Sequence, residues 1–152
     1  MRSAALALLL AGAFSAPPAR ADETLSCTSE KRLGGGASKN AELKLVVAGD
    51  SVKDLSYSGC YSSGEPGGGS CCGIERDESE TWSFTHSGAV TVLTIEMHDL
   101  EKTFKIEIER TPDAYQVRFS DRGLFILCGS AAEFPRSVTI RRGERACHVV
   151  EE

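Results

Sequence analysis

Six cysteines, Cys27, Cys60, Cys71, Cys72, Cys128 and Cys147, are the residues of this chain best equipped to do chemistry. A thiolate can attack, ligate a metal or oxidise to a disulfide, and spacing decides among these. No Cys-x-x-Cys pair exists, and the adjacent Cys71–Cys72 splays its side chains apart, which disfavours both zinc and thiol exchange. An even count in a chain of this size reads instead as three disulfides, with fifteen possible pairings. A bond between neighbours would close a strained eight-membered ring, so Cys71 and Cys72 are expected to reach different partners.

Other chemistries fail on pattern. Gly68-Gly69-Ser70-Cys71-Cys72 lacks the closing Gly of a nucleophile elbow. Gly34-Gly35-Gly36 is not followed by the Lys of a phosphate-binding loop, and His86, His98 and His148 have no His-Glu-x-x-His spacing. Glu75, Asp77, Glu78 and Glu80 form an acidic run without the alternating ligands and central Gly of an EF-hand. The expectation is a protein with no catalytic residues, no metal and no cofactor.

The stretch Ser58-Gly59-Cys60-Tyr61 opens a 23-residue segment, Ser58 to Glu80, that carries Gly67-Gly68-Gly69 and three of the cysteines. It reads as a long loop without secondary structure, and such loops are often functional. Cross-linking through Cys60, Cys71 and Cys72 would remove disorder that opposes binding. The four residues resemble the Ser-Gly-x-x-Tyr motif of the periplasmic lysozyme inhibitors of bacteria, small exported β-barrels, with the Tyr one residue early. On a strand that shift turns the Tyr to the other face. The resemblance implies a lysozyme-like partner met by Ser58 and Tyr61.

The elements that must position these residues are strands. From residue 42 onward, alternating segments follow one another, with Gly, Pro or Asp between them. They are Leu43-Leu45-Val47, Trp82-Phe84-His86, Phe104-Ile106-Ile108, Tyr115-Val117-Phe119, Leu124-Ile126-Cys128, Val138-Ile140 and Cys147-Val149. This two-residue period is that of an antiparallel meander with one face buried. Between residues 89 and 98, Val90 and Val92 share a face while Leu93, Ile95 and Met97 take the other, as a β-bulge near Val92 would produce. Eight to ten strands and no helix are expected. Successive hairpins favour a closed or nearly closed barrel over a sandwich, and Leu33 to Lys39 reads as a flexible loop.

The first residues read as an address. Arg2 precedes an apolar run of 11 residues, Ala4 to Phe14, and Ala19-Arg20-Ala21 fits the small-x-small rule. This predicts a signal peptide over 1–21 and one domain over 22–152. The run is too short to span ~30 Å of hydrocarbon at ~1.5 Å per residue, so no membrane insertion is expected. Losing Arg2 and Arg20 leaves 15 of the 17 basic residues against 22 acidic ones, a charge of −7. That argues against nucleic acid and suits a basic protein partner. The leading expectation is an exported, non-enzymatic binding protein, an inhibitor of a basic hydrolase such as lysozyme. Ser58, Tyr61, Asp77 and Glu78 would carry the contact, in the periplasm or outside the cell. The alternatives are a structural envelope domain and a metal binder using Cys71, Cys72 and the neighbouring acids.

Overall fold

In the computed structural model, residues 21–129 and 131–151 are described; the expected signal peptide, apart from Ala21, lies outside them. Ten strands form: β1 (Glu23–Arg32), β2 (Ser38–Ala48), β3 (Ser51–Ser62), β4 (Gly69–Ile74), β5 (Glu80–Ser87), β6 (Val90–Met97), β7 (Lys102–Arg110), β8 (Ala114–Arg118), β9 (Ser137–Arg141) and β10 (His148–Val150). All pairings between them are antiparallel, in a four-stranded sheet β1-β2-β3-β4 and a six-stranded sheet β10-β9-β8-β7-β6-β5. The period-two reading therefore holds for fold class. Alternate residues of each strand face inward because successive side chains point to opposite faces. Leu43, Leu45 and Leu55 of one sheet meet Leu93, Ile106, Val117 and Ile140 of the other in a single core, each 2 % exposed or less. Truncating any of these leucines to Ala should cost ~2–5 kcal/mol in lost transfer energy and cavity.

A sandwich, not a closed barrel, is what the pairings describe. At one side the sheets are stitched together rather than laddered. Thr28 forms a single parallel bridge to Ala146, with Thr28 N donating to Arg145 O and Cys147 N to Thr28 O. The Cys27–Cys147 disulfide locks that contact. At the other side β5 has no ladder partner beyond β6 among the described residues. There the Arg76 guanidinium fills the seam, 5.2 Å from the Trp82 ring and 4.0 Å from Asp54 of β3. Closure needs a continuous hydrogen-bond ladder, and hairpin order alone does not provide one.

Four local expectations need correction. The segment Ser58 to Glu80 is no unstructured loop: its first residues end β3, β4 pairs back from Gly69, and only 63–68 and 75–79 connect strands. The β6 ladder runs unbroken on both sides. Thr91, Leu93 and Ile95 face the core while Val90 and Val92 are half-buried on the other face. The bulge lies instead between Val46 and Val47, opposite Lys53, which lets both Val52 and Leu55 point inward. Leu124, Ile126 and Cys128 do not make a strand, because Arg122–Leu127 is a 3-10 helix capped by the Asp121 carboxylate accepting from Gly123 N. Finally, Leu33 to Lys39 contracts to a 3-10 turn, Gly34–Gly36, inside the β1–β2 hairpin.

Candidate functional site

The disulfides organise the site. Cys60–Cys71 crosses the β3–β4 hairpin, Cys72–Cys128 ties β4 to the segment after the 3-10 helix, and all six sulfurs are bridged. The adjacent cysteines thus reach different partners, as their geometry required. Cys71 is exposed while Cys72 is fully buried, since neighbours on a strand face opposite ways. No thiol is left to ligate or attack.

At this end the inward stripes of three strands change character. On β1 they run Leu25, Cys27, Ser29, Lys31; on β2, from the core outward, Ala41 then Lys39; on β3, Tyr57, Gly59, Tyr61. The core therefore opens into a pocket of about 260 Å³, closed on the other side by Ala131 to Pro135 and by Val149 and Glu151. Lys39 Nζ donates to Glu151 Oε2 at 3.2 Å. Ala131 N donates to Ser70 Oγ at 3.0 Å, pinning the far wall to β4. Beyond the ends of β1 to β4, two glycine turns meet. Gly64 has φ +84°, and a Cβ there would stand 2.7 Å from Gly36 backbone, so no other residue fits without displacing that turn.

Gly59 has its own structural reason. Tyr57 lies across it, and a Cβ at Gly59 would fall 2.2 Å from the Tyr57 hydroxyl oxygen. The ring is held there by Phe119 and Phe134, at centroid distances of 4.8 and 5.5 Å. Burial, with the Glu151 carboxylate beside it, pushes the Tyr57 hydroxyl well above the ordinary tyrosine range.

The expected contact residues are not brought together. Ser58 faces outward, its Oγ 3.9 Å from Cys60 Sγ, whereas Tyr61 faces inward at the mouth, opposite Lys39. Asp77 and Glu78 lie beyond Ile74, which pairs with Tyr57, so they are displaced from the Tyr61 level by more than four residues, roughly 13 Å. Both are exposed, and Ser79 N donates to the Asp77 carboxylate at 2.8 Å, holding its pKa below the usual value. Sequence reasoning passed over Tyr57, Lys39 and Glu151. The spacing Leu55-Tyr57 carried a strand signal that could have found the first. It also passed over Phe125, 71 % exposed on the 3-10 helix beside a second groove that shares Ala132, Glu133 and Pro135 with the mouth.

Among the described residues, no three His, Cys, Asp or Glu side chains converge as metal ligands would, and no helix is long and apolar enough to cross a membrane. No family model, curated protein or solved structure matches this chain.

Proposed function

We propose that this chain is an exported, non-enzymatic binding protein whose working end is the mouth of the sandwich, and that its partner is a basic hydrolase such as lysozyme. The observation that carries this is the double staple at the mouth. Cys60–Cys71 and Cys72–Cys128 fix the β3–β4 hairpin both to itself and to the opposite wall. A surface ordered before binding loses less entropy on association. Three disulfides also point to an oxidising, extracytoplasmic environment. Cleavage before Asp22 and a periplasmic or secreted location belong to the same proposal. Tyr61 and the 63–68 turn would touch the partner. Asp77 and Glu78, at the other end of the hairpin, would act through their field, and Ser58, on the outer face, would contribute little.

Surface plasmon resonance against a panel of lysozymes and other basic hydrolases, at two salt concentrations, tests it. Tyr61→Ala should mainly hasten dissociation, by ~2 kcal/mol if it is an anchor. Reversing Asp77 and Glu78 to Lys should mainly slow association, less so as salt shortens screening to ~8 Å. Absence of binding to the whole panel at micromolar concentration would end the hydrolase reading.

A further inference from the structure

Tyr57 carries a group that the fold does not use. The side chain is only 4 % exposed, yet no side-chain hydrogen bond among the described residues reaches its hydroxyl. That hydroxyl lies over Gly59, and both residues line the mouth pocket. The hydroxyl oxygen is not sealed off, since the fully buried side-chain oxygen without a hydrogen-bond partner among the described residues is Asp54 Oδ1; it opens to the pocket, where a ligand atom can take its proton. Held protonated by burial and by Glu151, it offers its proton to an acceptor.

Of the charges that line the pocket, Glu30 pairs with Arg32 and Lys39 with Glu151, the latter two at 3.2 Å, while Lys31 and Glu133 stand as one charge of each sign. A charged ligand meets a balanced lining and gains no net attraction from it. A neutral one could use the remaining ammonium protons and the free carboxylate oxygen as they stand. Ser29 adds a donor and acceptor to the lining, and Tyr61 adds an aromatic surface. A volume of about 260 Å³ falls just below the ~300–1,000 Å³ of drug-sized sites. It holds one ring. A sugar has the complementary surface: hydroxyls that both donate and accept around its rim, and an apolar C–H face for an aromatic ring.

We infer that the mouth pocket binds one neutral sugar ring. The Tyr57 hydroxyl donates to a ring substituent, the Lys39–Glu151 pair bridges neighbouring hydroxyls, and Tyr61 covers the apolar face. This site goes beyond the protein-partner reading and does not depend on it.

The test titrates isotope-labelled protein with glucose, galactose and N-acetylglucosamine, following backbone amides by NMR. Glucuronate and glucosamine serve as matched anionic and cationic rings. At least one neutral sugar should shift the amides of Asn40, Gly59 and Tyr61, with a dissociation constant on the order of millimolar for about a dozen heavy atoms. Both charged rings should bind more weakly. Tyr57→Phe should weaken binding roughly fivefold, while its melting temperature stays level or rises, because the lost hydroxyl has no hydrogen-bond partner among the described residues. A merely structural role would instead lower stability and leave affinity alone. Tyr61→Ala should abolish binding with the circular dichroism spectrum unchanged. The inference is overturned if no neutral sugar shifts those amides, if a charged ring binds more tightly, or if Tyr57→Phe binds like the wild type. Loss of hydrolase binding with sugar binding intact would remove the proposed function and leave this site standing.

Discussion

Gly59→Ala puts a methyl group where the Tyr57 ring now lies. The added Cβ would stand 2.2 Å from the hydroxyl oxygen and 2.8 Å from Cζ, both far inside van der Waals contact. The ring cannot swing aside freely, because it is 4 % exposed and wedged against Phe119 and Phe134. Overpacking of this kind costs ~1–3 kcal/mol. Replacing Gly in a strand returns ~0.5–1 kcal/mol through the unfolded chain. The net loss is then ~1–2 kcal/mol, or roughly 4–8 °C in melting temperature for a domain of this length. Calorimetry and urea unfolding would measure it, with a double-mutant cycle to assign it. In a Tyr57→Leu background the ring tip is gone, so Gly59→Ala should cost less than ~0.5 kcal/mol, giving a coupling above ~0.5 kcal/mol. Equal costs in both backgrounds would refute the claim that Gly59 exists to seat Tyr57.

Alkylation under denaturing, non-reducing conditions should add no mass, since all six cysteines are paired; two or more labelled sulfurs would break the framework. Converting Cys27 and Cys147 to Ala opens a loop of sequence separation 120 and should cost ~4–5 kcal/mol, against ~3 kcal/mol for Cys60 and Cys71, separation 11. Urea midpoints that reverse this order would discredit the loop-entropy reasoning. The folded-state pKa of Tyr57 is raised above its ordinary 10.0, so its contribution is present in full below pH 10.0 and is lost as pH rises beyond it, by up to roughly 1.4 kcal/mol per pH unit. Urea unfolding at pH 9 and pH 11 should show this loss in the wild type and a smaller one in Tyr57→Phe. Identical losses would place the alkaline instability elsewhere.

The alternation of Phe104, Ile106 and Ile108, and of its counterparts, determined the all-β class, because one buried face imposes a two-residue period within a single strand. The separate partners of Cys71 and Cys72 were legible for an equally local reason, the geometry of adjacent residues. The β3–β4 hairpin was not. Its paired stretch is rich in Ser58, Gly59, Ser62, Gly69, Ser70 and Gly73, residues of turns by composition, and it is a strand pair because β2 offers β3 an eleven-residue ladder. Residues Leu124 to Cys128 alternate as a strand would, yet they coil, since Asp121 caps the 3-10 helix and only Leu124 is needed in the core. The division into two sheets, and with it the mouth where Tyr57, Lys39 and Glu151 meet, rests on contacts between residues far apart in sequence. Lys39 and Glu151 are 112 positions apart, and no local period records which strands will face each other across a core.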